Sequence, residues 1–167
     1  MRPIFTGNNL SPSSHFLFHT WMGLILFLLV FAVFWESLQV GFVGDDYYFL
    51  DSSTTWDQVQ SSFHDIWLFM GIDDYAGARF YRPLQILFTY LELLGWGENP
   101  WGFHVDLILI HLGNSLLLFL LLRVLFREFK PYYPWIPWLA TFGFALHPYH
   151  SETLCMINGR TDSLCAL

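Results

Sequence analysis

Two adjacent carboxylates, Asp45 and Asp46, follow the first long apolar stretch in the run Gly41-Phe42-Val43-Gly44-Asp45-Asp46-Tyr47-Tyr48. Ionised groups near hydrocarbon carry a heavy desolvation cost, so each must be solvated, paired or put to use. A carboxylate at such a boundary suits a general base, or a ligand to a divalent metal. A helix cap or loop-ordering role explains the same position without any reaction. A second polar cluster, His147-Pro148-Tyr149-His150-Ser151-Glu152, follows another apolar stretch. His147, His150 and Glu152 are of metal-ligand type, but Pro148 bends the chain between the imidazoles and nothing nearby completes a closed site. A helix starting after Pro148, with Glu152 in its first turn, is the simpler account. The third cluster is Asn158-Gly159-Arg160-Thr161-Asp162. Its guanidinium matches phosphate oxygens, or pairs at the surface with Asp162 or Glu152. Arg79 and Arg82 carry the same two readings.

The elements that must position these groups are those of a membrane protein. Of 167 residues, 54% are hydrophobic and only 13% charged, whereas soluble domains run near a quarter charged. The net charge of −7 argues against a nucleic-acid partner, which needs a basic stripe. Residues 1–14 form an amino-terminal tail. Residues 15–35 carry no charge and, at about twenty residues, match the hydrocarbon core. With Trp21 and Trp35 at the two interfaces and no small-residue cleavage site, they read as an uncleaved signal anchor. A second span covers 101–126 and a third, short one 134–149, joined by a loop at 127–133. Residues 150–167 form a further segment that starts another helix.

Charge sets the orientation. Arg123, Arg127 and Lys130 flank the short loop, against Glu128; the long loop after the first span holds nine acids from Asp45 to Glu98 against Arg79 and Arg82. Positively charged loops face the cytoplasm, so the tail and the 127–133 loop lie inside. The acidic loop and residues 150–167 share the outer, periplasmic or lumenal, side. The long loop has structure of its own. Asp51-Ser52-Ser53-Thr54-Thr55 offers caps, and Trp56, Val59, Phe63, Ile66 and Trp67 recur at helical spacing, which predicts a surface-lying helix. Leu84 to Leu94, opened by Tyr81-Arg82-Pro83 and closed by Gly95 and Gly97, predicts another helix, interfacial or paired hairpin-like with the second span. Within that span Asp106, His111 and Asn114 need partners, and His104 shares a face with His111. Cys155 and Cys165 read as small apolar fillers. The expected fold is an all-α membrane protein of about three transmembrane helices plus interfacial helices in a long first outer loop.

Four motifs in order now carry a resemblance: Phe42-Val43-Gly44-Asp45-Asp46; Tyr81-Arg82-Pro83-Leu84; Asn99-Pro100-Trp101-Gly102-Phe103-His104; and Ala145-Leu146-His147-Pro148-Tyr149-His150-Ser151-Glu152 with Gly159-Arg160-Thr161-Asp162. From about residue 40 onward the chain resembles the amino-terminal part of the tetratricopeptide-repeat O-mannosyltransferases, and more broadly the C-type glycosyltransferases. The resemblance implies a truncated bundle of that kind, using a polyprenyl- or dolichyl-phosphate sugar. Asp45 or Asp46 would then be the base that deprotonates an acceptor hydroxyl. His147, His150 and Glu152 would shape the cleft, and Arg82, Arg160 and Asp162 would bind substrate or the carrier phosphate. Some relatives use a divalent metal and some do not. Two departures stand out: Asp106 replaces an uncharged polar residue, and the family has several more spans and a repeat region. The apolar end at Leu167 suggests the front of a longer enzyme. The alternative is a small, non-catalytic membrane subunit whose aromatic helices pack against lipid and other membrane-protein helices. A metal-dependent hydrolase has only the His and Asp residues in its favour.

Overall fold

The computed structural model describes residues 12–64, 82–128 and 133–165. Every regular element among them is helical. α1 spans Pro12–Val33 and leads into a 3-10 turn at Trp35–Gln39. α2 (Asp46–Asp51), α3 (Trp56–His64), α4 (Pro83–Trp96), α5 (Pro100–Phe126), α6 (Trp135–Ala145) and α7 (His150–Cys155) follow. A second 3-10 turn at Ile157–Gly159 leads into α8 (Arg160–Cys165). Ile66, Trp67, Arg79, Tyr81 and Lys130, which figured in the expectations above, lie outside the described residues.

Two helices are long and apolar enough to cross a membrane, Phe16–Val33 within α1 and Pro100–Phe126. At 1.5 Å per residue they reach about 27 and 40 Å against a hydrocarbon core of about 30 Å. α1 buries Leu26 and Val30, one turn apart, and Phe34 just past its end continues the row; it exposes Phe16, Leu17, Trp21, Leu24 and Leu28. One side thus packs on the protein and the other presents a broad apolar face of the kind that marks a membrane or protein contact. α5 starts at Pro100, where a missing N–H costs nothing, and Asn99 Oδ1 accepts from the Trp101 N–H at 3.2 Å. Its inner face supplies Phe103, Leu107, Ile108, Leu112 and Phe119 to the core, where they meet Leu26, Val30, Trp138 and Ala145. Phe119 and Trp138 stack with ring centres 4.0 Å apart, and Trp138 Nε1 donates to His19 Nδ1. One aromatic side chain thereby ties α6 to both long helices.

The third expected span is interrupted. α6 covers 11 residues, about 16 Å; the chain then turns through residues 146–149 and restarts as α7. Pro148 has no N–H to offer a continuing helix and disfavours helical geometry at His147. α3 forms at the expected capping residues, with a reciprocal cap. Gln58 N–H donates to Thr55 Oγ1, and Thr55 N–H donates to Gln58 Oε1 at 2.9 Å, a capping box. Only Val59 of its apolar face is buried; Trp56 lies against Tyr90 of α4. α4 closes on Gly97 at φ +61° and pairs with α5 as a hairpin. The approach depends on Gly102, because a Cβ there would overlap the Trp96 ring. Trp96 folds back over it and donates Nε1 to Asp106 Oδ2 at 2.9 Å.

Candidate functional site

The two adjacent carboxylates have different surroundings. Asp46, the first residue of α2, has no exposed surface. Its Oδ2 accepts from Val43 N–H at 2.9 Å and its Oδ1 from Asn158 N–H at 2.8 Å. A buried carboxylate with both oxygens bonded is satisfied and fixed. Asp46 therefore pins its own turn to the 3-10 turn 112 residues further along the chain. Gly44, at φ +57°, lets the backbone make that turn. Asp45 points outward. It is exposed, and its side chain makes no capping bond to α2.

Asn158 continues the network. Its Oδ1 accepts from Arg82 Nη1 at 2.7 Å and from Gln85 Nε2 at 3.3 Å, and Gln85 Oε1 accepts in turn from Thr161 Oγ1. The Arg82 guanidinium also lies 5.9 Å from the centre of the Phe49 ring on α2, within cation–π range. The Arg82 motif and the Asn158–Asp162 cluster thus converge on the carboxylate turn through α4 and the 157–161 segment.

Of the two arginines expected at a phosphate, the structure separates one from the surface. Arg160 has zero exposure; its Nη1 lies 2.5 Å from Glu92 Oε2 and 3.5 Å from Thr89 Oγ1. Arg82 is partly exposed. Burial pushes Glu92 up to about 8, opposed by the Arg160 charge and reinforced by neighbouring Asp106. Asp106, the departure from the family pattern, is thus held by Trp96 and lies beside the Glu92–Arg160 pair. An open groove of about 320 Å³ beside α4 and α5 is lined by Glu92, Trp96, Asp106 and four apolar side chains, and includes neither Asp45 nor Arg82.

The His147–Glu152 cluster does not bond to Asp45 or Asp46. His147 Nδ1 accepts from Tyr149 N–H. The His150 ring packs on His111 and Phe144, with centres 4.6 and 4.7 Å away. Burial, then the His111 and His147 rings, hold His150 below its usual value. Glu152 and Asp162 are exposed on α7 and α8. No group of three or more His, Cys, Asp or Glu side chains that could hold a metal ion occurs among the described residues. Cys155 and Cys165 are free thiols.

Asp106 of α5 is partnered by the Trp96 side chain, whereas His104, His111 and Asn114 find backbone carbonyls. His111 Nε2 meets Ala145 O at 2.9 Å, His104 Nδ1 meets Leu154 O at 3.0 Å, and Asn114 Nδ2 donates to Ser163 O at 2.8 Å. A carbonyl cannot donate, so each ring nitrogen carries the proton. The three acceptors lie in the last turns of α6, α7 and α8, where helices leave carbonyls unpaired. α5 thus caps three short helices in succession, and this seats the 157–161 segment against α2 and α4.

Sequence reasoning gave no role to Gln85 or Glu92, and it placed Asn158 in the third cluster without a role of its own. Glu92 did leave a signal, a single carboxylate inside the apolar run Leu84–Leu94. The roles of Asn158 and Gln85 left none, because their partners lie more than seventy residues away.

No protein-family model matches the chain, and no solved structure matches it. Among curated proteins it is similar to "Protein O-mannosyl-transferase TMTC4" of Mus musculus, 34% identical over 164 residues, and to its Homo sapiens counterpart, 33% over 168. Each alignment covers 83% of this chain and 22% of the relative. It is also 30% identical over 141 residues to "Protein O-mannosyl-transferase Tmtc2" of Drosophila melanogaster, covering 80% of this chain and 14% of that protein. The chain thus spans about a fifth of the length of the first two. Over most of its own length the chain is thus homologous to part of these protein O-mannosyl-transferases, the kind of protein its four motifs resemble.

Proposed function

We propose that this chain carries the base-bearing part of a membrane O-mannosyltransferase. That enzyme moves a sugar from a polyprenyl- or dolichyl-phosphate carrier to an acceptor hydroxyl on the outer or lumenal face. Asp45 takes the hydroxyl proton, the freed oxygen attacks the anomeric carbon, and the carrier phosphate leaves with the bonding electrons. Arg82 stabilises the charge that builds on that phosphate. His147, Glu152 and Asp162 form the wall of the same cleft, supported by the packing of α7 on the Ile157–Gly159 turn.

One observation carries the assignment of roles. Asp46 is buried with both oxygens engaged, while Asp45 beside it is exposed with no side-chain partner among the described residues. A base needs an accessible lone pair, and the anchor beside it holds that lone pair in place. Arg82 is tied to the anchor through Asn158, which supports placing the phosphate next to the base. Arg160, buried against Glu92, is reassigned from phosphate binding to holding α8 on α4. Similarity to named transferases favours this reading over a non-catalytic subunit.

The test is Asp45→Asn in membranes containing the full-length protein. Removing a general base costs about 10²–10⁴ in rate, so mannose transfer should collapse while membrane insertion is retained. Wild-type transfer by Asp45→Asn would remove Asp45 from the mechanism.

A further inference from the structure

We propose that Asn158 is a positioning residue that sets the spacing between the Asp45-Asp46 turn and the Arg82 guanidinium. The inference rests on the functional reading above for its kinetic consequence, but not for its geometry. Asn158 binds the two groups through different atoms. Its backbone N–H holds Asp46 Oδ1 at 2.8 Å, while its side-chain Oδ1 receives Arg82 Nη1 at 2.7 Å and Gln85 Nε2 at 3.3 Å. Substituting the side chain therefore removes this one hold on Arg82 and leaves the backbone grip on Asp46 intact.

The surroundings make Asn158 a rigid link. Gly159 follows it, and the Ile157–Gly159 turn lies so close to Thr153 of α7 that a Cβ on Gly159 would come within 2.7 Å of the Thr153 carbonyl oxygen. On the other side Gln85, itself buried, binds both Asn158 and Thr161. Asn158 cannot drift without disturbing α7 or α4. The Phe49 ring, 5.9 Å from the Arg82 guanidinium, is still there when Asn158 is truncated, so the expected loss is of orientation rather than of the whole side chain. An asparagine also suits the task chemically: its amide oxygen is a neutral acceptor, and it orients a guanidinium without cancelling the charge that an anionic phosphate must meet.

Two readouts test this in the full-length protein. The first is transfer from mannosyl-phosphoryl-dolichol. Asn158→Ala should raise KM for that donor about tenfold, the scale of one hydrogen bond to a charged group, with kcat within about twofold because the Asp46 bond is to backbone. Asn158→Asp keeps an acceptor for Arg82 and Gln85, so it should preserve the folded yield, yet raise KM at least as much because its carboxylate competes with the phosphate. The second readout needs no activity: the rate at which phenylglyoxal modifies Arg82, followed by mass spectrometry against exposed Arg127. Asn158→Ala should accelerate it severalfold. An unchanged KM in Asn158→Asp, or an unchanged Arg82 rate in Asn158→Ala, overturns the positioning role. Faster Arg82 modification in a protein that transfers nothing from the dolichyl donor supports the positioning and overturns the functional reading instead.

Discussion

Gly159→Ala tests the whole arrangement with one methyl group. The new Cβ would lie 2.7 Å from Thr153 O and 2.8 Å from Thr153 Cα, whereas ordinary contact begins at 3.4 Å. The obstacle is backbone, so it cannot rotate aside, and the turn must withdraw from α7 by about 0.7 Å. A shift of that size cannot leave the Asn158 N–H in place on Asp46, 2.8 Å away, because hydrogen bonds weaken steeply once distance and angle leave their preferred range. Overpacking of this kind costs about 1–3 kcal/mol, and a buried carboxylate oxygen left without its donor costs about 1–3 kcal/mol more. The control is Gly143→Ala on α6, where a Cβ meets nothing within 4 Å and helix propensity favours alanine by about 1 kcal/mol. Thermal unfolding in detergent should show the first variant several degrees below wild type and the second at or above it. Mannose transfer by Gly159→Ala should fall with it. Equal unfolding temperatures for the two variants would refute the claim that the 157–159 turn is wedged between α7 and Asp46.

Further outcomes follow from the same contacts. Asp46→Asn puts an NH2 group where a carboxylate oxygen accepts from Val43 or Asn158 N–H, so folded yield should drop by about 1–3 kcal/mol of stability. Asp45→Asn should leave yield unchanged, and solubilisation assays separate the two. Glu92 keeps its proton more tightly in the folded protein than in the unfolded chain. Its contribution is therefore complete below the ordinary carboxylate value and is lost as pH rises toward about 8. Melting temperature should decline across that window, and Glu92→Gln should flatten the decline; an equal slope in the variant would assign it to other groups. Orientation is tested with a membrane-impermeant thiol reagent on protein whose Cys155 and Cys165 are replaced by serine. Thr54→Cys should label from outside and Glu128→Cys should not. Thr54 serves better than Ser53, which is fully buried, and reversed labelling would invert the topology.

Much of the frame was legible because it depends on local order. Apolar runs long enough for a bilayer marked α1 and α5, prolines at 83 and 100 marked the starts of α4 and α5, and Thr55 marked α3. The break between α6 and α7 was announced by Pro148, after which a new helix was expected and starts at His150. The polar clusters were visible as residue types, but not the way the fold divides their members. Asp45 and Asp46 are chemically identical in sequence, and only the arrival of the Asn158 N–H decides which is buried. Arg82 and Arg160 were equally good phosphate ligands until Glu92 occupied one of them. His150 looked like a ligand and proves to be part of an aromatic stack. Such choices are made by contacts across seventy to a hundred residues, which spacing along the chain does not encode.

The sequence of caps donated by α5 has a consequence for biogenesis. The ribosome delivers α5 before residues 135–165, so a finished scaffold of N–H donors awaits each short helix as it emerges. Ala145, Leu154 and Ser163 can then surrender their water to a waiting partner rather than to lipid. Inherited or engineered changes at His104, His111 or Asn114 should therefore show their damage downstream, as protease-sensitive carboxyl-terminal segments hanging from a normally inserted α5.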